Sequence, residues 1–162
     1  MNLKLYSIDN EYINYLREYD KKVPFNKNKT RPYIGIVYKY DGNNYFAPLS
    51  SPKEKHLKIN EKAIDIYKID KGILGVINLN NMIPAPMECL TEIINTIKDK
   101  TYKKLLEKQI TYINDNKKHL LKKINQFQLR YRKEHLPKEI IERCCNFILL
   151  EEKCKKWKND IM

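Results

Sequence analysis

Residues 33–49 constrain the architecture of this chain more than any other stretch. Tyr33-Ile34-Gly35-Ile36-Val37-Tyr38-Lys39-Tyr40 is dense in β-branched and aromatic residues and predicts a strand. Asp41-Gly42 is a turn signal, lengthened by Asn43-Asn44, and Tyr45 to Leu49 returns as the antiparallel partner. A hairpin here has a geometric consequence: the residue before Pro32 and the residues after Leu49 leave the sheet at the same end. Arg31, biased toward extended backbone by the proline that follows it, is thereby predicted to neighbour Ser50-Ser51-Pro52-Lys53, although about twenty residues separate them along the chain.

The segment leaving the hairpin has the chemistry of an anion site. Ser50 and Ser51 contribute hydroxyls and Lys53 and Lys55 contribute charge, a set that suits a phosphate group. An extended backbone over 51–55 would put Ser51, Lys53 and Lys55 on one side and Ser50, Glu54 and His56 on the other. Pro52 removes a backbone donor and argues for a loop or sheet edge. The competing reading is a solvated turn. The loop Asn26-Lys27-Asn28-Lys29-Thr30-Arg31-Pro32 carries the same pair of readings: a phosphate-contacting arm through Lys27 and Lys29, or a connector. His56 titrates in the range useful for proton transfer, but an extended loop turns it away from Lys53, and it is read as structural.

Around this centre, Leu3 to Tyr6 reads as a first strand, and Ser7 or Asp9 offers an N-cap to a helix bearing Tyr12, Ile13, Leu16 and Tyr19. Ile64 to Ile69 alternates, Asp70-Lys71-Gly72 turns, Ile73 to Leu79 pairs back, and Met82-Ile83-Pro84 leads out as an edge. From Met87 the period becomes helical, with Leu90, Ile93, Ile94 and Ile97 on one face. A second helix runs from 101 to about 121, and Ile124 to Tyr131 either extends it or begins another. A short helix restarts after Pro137, and Asn146 to Lys158 forms the last, with Phe147, Leu150, Cys154 and Trp157 inward. The expected class is α+β: one domain over 1–162, a compact, strongly twisted antiparallel sheet or small barrel, with helices mainly in the C-terminal half.

Charge narrows the partner. Lys and Arg number 32 against 20 Asp and Glu, a net +12, which points to a polyanion, nucleic acid first. Lys122, Lys123 and Arg130, interleaved with Phe127 and Tyr131, suit single-stranded RNA through backbone contact and base stacking; an amphipathic helix with its aromatics in the core fits equally. Helix-turn-helix and zinc-finger spacings are missing, which disfavours a DNA-binding regulator. No apolar run approaches the ~18 residues that cross a bilayer, and the Met1–Leu5 start lacks a signal peptide's apolar core, so a cytoplasmic protein without a membrane partner is expected. Cys89, Cys144, Cys145 and Cys154 lack metal-ligand spacing, and His56, His119 and His135 are scattered. Neither a metal nor any other cofactor is expected.

These residues closely resemble the ToxN/AbiQ family, the toxin component of type III toxin–antitoxin systems. The resemblance runs through Lys22-Val23-Pro24, Arg31 to Val37, Tyr45 to Lys53 with His56, Gly75 to Pro84, Tyr102-Lys103 to Asn114, and Cys145 to Lys153. It implies an endoribonuclease with a core similar to the Kid/MazF toxin barrel, and an RNA antitoxin of tandem repeats folded as pseudoknots. Such a toxin cuts the repeat precursor, is held by the product in a ring of three proteins and three RNAs, and when released cleaves cellular or phage RNA. Carried over by position, the active site falls on Arg31 (commonly lysine), Ser50 (commonly threonine), Ser51 and Lys53. Some members carry a tyrosine in the loop before Arg31, where this shorter loop has Lys27, Asn28 and Lys29; Lys55 stands where some have an aromatic. The implied chemistry is metal-independent and leaves a 2′,3′-cyclic phosphate and a 5′-hydroxyl. Lys53 then handles a proton or stabilises charge; because an ordinary lysine has a pKa near ~10.4, the electrostatic role is favoured. Arg31 clamps the phosphate and Ser51 orients it without a covalent intermediate. The alternative is a non-catalytic basic protein that stores or masks a transcript.

Overall fold

The structure, a computed structural model, describes residues 1–28 and 30–161, without the side chains of 158, 160 and 161. Its sheet is assembled on one long strand, β3 (Asn43–Ser50). The β1 (Lys4–Ile8), β2 (Tyr33–Tyr40), β4 (Ile66–Lys68), β5 (Val76–Asn78), β6 (Ile83–Pro84) and β7 (Leu90–Glu92) strands complete it. One edge of β3 pairs with β2; the other pairs with β6 at Tyr45 and Phe46 and with β5 at Leu49 and Ser50. The order is β4-β5-β3-β2-β1-β7, with β6 also on β3, and every pairing is antiparallel. Of the two forms expected, the structure is the open sheet. A closed barrel would require its ends, β4 and β7, to pair, and each is only three residues long.

The hairpin turn is tighter than expected. Tyr40 pairs directly with Asn43, leaving Asp41 (φ 49°) and Gly42 (φ 77°) as a two-residue turn whose positive φ values match the strand twist. Asn43 and Asn44 therefore belong to β3, and the Asn43 side chain donates to the Tyr40 carbonyl at 3.1 Å.

The α1 helix (Asn10–Tyr19) buries Tyr12, Ile13 and Leu16, and Tyr12 donates from its hydroxyl to Pro84 O at 2.6 Å. The helix expected from Met87 does not form. Leu90–Glu92 instead pairs with Tyr6–Ile8, and Ile93 N donates to Leu5 O at 3.2 Å. An open sheet edge with unpaired backbone groups outweighs an apolar spacing that fits either period.

The long helix expected over 101–121 is two, α3 (Lys100–Asp115) and α4 (Lys117–Arg132). Asp99 caps α3 by accepting from Thr101 N and Tyr102 N, and Asn116 breaks the run, its amide donating to Tyr112 O at 2.9 Å. After α5 (Lys138–Arg143), α6 (Phe147–Ile161) packs its Phe147, Leu150 and Cys154 into the core. No helix among the described residues is long and apolar enough to cross a membrane.

Candidate active site at the open end of the hairpin

Strand register decides which groups meet. Tyr33 pairs with Pro48, and Leu49 N donates to Pro32 O at 3.0 Å, so the next facing positions are Arg31 and Ser50. The structure thus brings Arg31 to the end of the sheet from which Ser51 and Lys53 emerge. Arg31 donates from Nε to Phe25 O at 2.8 Å and has no carboxylate partner among the described residues. The Ser50 hydroxyl accepts from Asn78 Nδ2 at 3.0 Å, which fixes it at the β3–β5 seam. Ser51, Lys53 and Lys55 are exposed, and neither lysine has an ion-pair partner among the described residues.

The backbone beyond Pro52 departs from the extended form. A short helix, α2 (Glu54–Lys58), begins directly after Lys53, so Lys55 lies on its first turn rather than in line with Ser51 and Lys53. The cause is His56. Its Nδ1 accepts from Lys53 N at 3.1 Å while its own N–H donates to Lys53 O at 2.9 Å, closing a reciprocal cap. His56 is 2% exposed. Burial, together with the Lys55 and Lys53 charges, holds its pKa below the ordinary imidazole value, which keeps it neutral and able to accept. The contacts of His56 thus hold the backbone of Lys53, on a helical turn rather than the expected extended loop.

Two glycines floor the segment. A Cβ on Gly75 (φ +103°) would stand 2.1 Å from Ser50 O, and one on Gly72 (φ +92°) 2.7 Å from His56 O. Both the positive φ and the close approach require glycine. Lys68, the last residue of β4, adds a tie, donating to Leu57 O at 3.3 Å within α2 and to Ile59 O at 2.9 Å just past its end. Sequence reasoning did not find Asn78, Gly75 or Lys68, because each acts from a strand or turn remote in sequence.

The basic loop before Arg31 is tied down. Asn26 donates from Nδ2 to Ile8 O at 2.6 Å and to Asn10 Oδ1 at 2.7 Å, and Thr30 donates from Oγ1 to Lys27 O at 2.6 Å. Lys27 is exposed on a left-handed turn (φ 47°); Lys29 lies outside the described residues. Tyr33 is fully buried at the base of this loop. Burial pushes its phenol up, and the fields of Arg31 and Arg17 oppose the shift.

The basic stretch of α4 behaves differently from the open end of the hairpin. Phe127 is 1% exposed and offers no face to a base, while Tyr131 is half-buried, in edge contact with Phe147 at 4.7 Å between ring centroids. Their spacing with Leu120 and Ile124 puts them on the core stripe of the helix. Lys123 donates to Ile66 O at 2.7 Å, and burial lowers its pKa. Lys122, Lys123 and Arg130 line a cavity of about 630 Å³ that shares no residue with the hairpin site. Among the described residues, no cluster of three or more His, Cys, Asp or Glu side chains could hold a metal ion.

Residues 4–155 match the family model of Toxin ToxN, type III toxin–antitoxin system. The chain is 36% identical to Endoribonuclease ToxN of Bacillus thuringiensis subsp. kurstaki, covering 97% of this chain and 85% of that protein. It is 33% identical to Endoribonuclease AbiQ of Lactococcus lactis subsp. lactis, covering 94% of this chain and 88% of that one. A solved structure from a type III system, described for selective toxin inhibition by a non-coding RNA pseudoknot, superposes with a TM-score of 0.82. That match is 35% identical over 98% of this chain and 99% of the other.

Proposed function

The chain belongs to the ToxN toxin family of type III toxin–antitoxin systems, and from that premise we propose that it is a metal-independent endoribonuclease, one toxin domain over residues 1–162. The observation that carries the reading is the meeting of Arg31 with Ser50 across the hairpin, next to Ser51 and Lys53, with no carboxylate paired to either cation among the described residues. Cations left without acidic partners at one end of a sheet suit a ligand that brings its own negative charge.

In this mechanism the scissile phosphate lies between Arg31 and Lys53. The substrate's 2′-oxygen attacks phosphorus as its proton leaves, the P–O5′ bond breaks, and the 5′-oxygen takes up a proton. The products are a 2′,3′-cyclic phosphate and a 5′-hydroxyl. Lys53 and Arg31 stabilise the charge that builds on the phosphorane, the effect that contributes most at such sites. Ser51 donates to a phosphate oxygen and sets the line of attack, while Ser50, held by Asn78, lines the floor. Lys27, Lys29 and Lys55 carry the flanking backbone, and Lys122, Lys123 and Arg130 contact more distant RNA.

The antitoxin in this reading is a tandem-repeat pseudoknot RNA, cut by the protein and then bound in a ring of three proteins and three RNAs. The cytoplasmic targets after release are cellular or phage transcripts. The test is incubation of purified protein with its repeat RNA in excess EDTA, followed by mapping of the ends. Cleavage that persists and leaves cyclic phosphate supports the nuclease. Intact RNA, tightly bound, replaces it with a transcript-storing protein.

A further inference from the structure

We propose that Phe25 is a nucleobase platform, its ring backed by the Arg17 guanidinium on one face and stacking, on the other, a base that flanks the phosphate at Arg31. The inference rests on the nuclease reading for the identity of the ligand as RNA. Phe25 is 69% exposed, more than any other large apolar side chain among the described residues apart from the first residue. A phenyl ring left in water contributes nothing to folding by burial, and the surrounding chain does not leave it there loosely. Arg17 donates to Lys21 O at 3.2 Å and also to Val23 O, and its Cζ lies 3.6 Å from the Phe25 ring centroid. The guanidinium is thus fixed by two carbonyls and the ring rests on it. With one face covered and most of the side chain in solvent, the second face is open.

Its position gives the platform a ligand. Phe25 O accepts from Arg31 Nε at 2.8 Å, so a single hydrogen bond joins the ring-bearing residue to the arginine that faces Ser50. The chain neighbours Lys21, Lys22 and Lys27 are exposed cations. A lone aromatic among lysines is no contiguous apolar patch for a protein or lipid partner; it is the combination on which single-stranded nucleic acid stacks its bases while its phosphates meet the cations. Arg17 behind the ring adds charge within reach of the adjacent phosphate. Every base presents a π-face, so the platform sets where the strand sits more than which base occupies it.

The test uses a short single-stranded RNA with 2′-O-methyl riboses, which resists cleavage through the 2′-oxygen, and one abasic nucleotide moved along it. Affinity is read for the wild-type protein and for Phe25→Ala, Phe25→Leu and Phe25→Trp. One or two adjacent positions are expected at which base loss weakens wild-type binding about tenfold. Phe25→Ala should weaken the intact RNA by the same factor and feel no further loss from the abasic nucleotide there. Trp should restore binding and Leu, which is apolar without a π-face, should not. Unchanged affinity of Phe25→Ala, full rescue by Leu, or an undiminished abasic loss in Phe25→Ala at every position overturns the platform. A wild-type protein that leaves ordinary RNA uncut while showing this pattern overturns the nuclease reading alone.

Discussion

At the turn end of the β2–β3 hairpin, Arg132 is bound in a buried network; at the open end, Arg31 is partly exposed and has no acid partner among the described residues. Arg132 donates from Nη2 to Glu151 Oε2 at 2.6 Å and from Nη1 to Oε1 at 3.3 Å, with side chains only 13% and 11% exposed. Tyr45 donates to the same carboxylate at 2.5 Å, and the Arg132 guanidinium lies 3.7 Å over the Tyr40 ring. Burial, followed by the neighbouring Glu151, pushes the Tyr45 phenol far up, so it stays a donor. That network ties α4 and α6 to the hairpin. At the other end Arg31 bonds one backbone carbonyl and Lys53 has no ion-pair partner among the described residues. One end has its charges compensated within the chain; at the other, no acid among the described residues compensates them, which is what the proposed phosphate site requires. The same residue type thus serves packing where an acid is folded in beside it and, in the proposed site, binding where none is.

The comparison breaks first, if it breaks, on stability. Glu151→Ala leaves the Arg132 guanidinium buried and unpaired, and a loss of about 3–5 kcal/mol is expected by denaturant melting. Arg31→Ala, at the exposed end, should stay within about 0.5 kcal/mol of wild type. Equal losses would mean that the open end is also structural. The next largest effect falls on rate. Lys53→Ala should slow single-turnover RNA cleavage by about 10²–10³-fold, the range for removing one charge-stabilising donor, while filter binding retains most of the RNA affinity. Loss of both together would reduce Lys53 to a binding residue.

Much of this contrast was legible in local chemistry. The hairpin reads from β-branched and aromatic runs around Asp41-Gly42, and its register carries Arg31 to Ser50 without long-range information. The surroundings of Lys53 were less legible because they are supplied from afar. Gly75 passes under Ser50 O and Asn78 holds the Ser50 hydroxyl, yet both lie more than twenty residues further on. The α2 helix is five residues, too short to announce itself by periodicity, and it exists through the His56 cap. Interleaving with cations marks an RNA face and an amphipathic core helix alike, and for Phe127 only its burial, packed on Phe147, separates the two. Phe25, a single aromatic in a polar loop, has no periodic signal at all.

A smaller effect sharpens the open end. Substituting one phosphate-contacting cation should reduce the slope of log affinity against log salt by roughly 0.7 for single-stranded RNA. Arg31→Ala is expected to show that change in a salt titration, and Arg130→Ala, whose Nη2 already donates to His135 O at 3.0 Å, a smaller one. An unchanged slope for Arg31→Ala would remove it from the phosphate-contacting set and leave Lys53 as the principal cation there.

The smallest expected effect tests whether the backbone under Lys53 matters to its chemistry. His56 has its pKa held below the ordinary value of about 6.5, and Nδ1 accepts the Lys53 N–H only while unprotonated. A depressed folded-state pKa contributes stability that is present in full above the unfolded value and is lost as pH falls from there through the folded value. Acidification should therefore release the α2 cap, at a cost on the order of one hydrogen bond, about 0.5–1.5 kcal/mol, and cleavage should fall a few-fold before the protein unfolds. His56→Asn keeps an oxygen acceptor and removes the titration, while His119 and His135 remain. The ratio of wild-type to His56→Asn cleavage should consequently decline between about pH 7 and pH 5. A flat ratio would show that the reciprocal cap has no part in holding Lys53 for reaction, and the open end would then owe its geometry to the β3–β5 seam and the glycine floor alone.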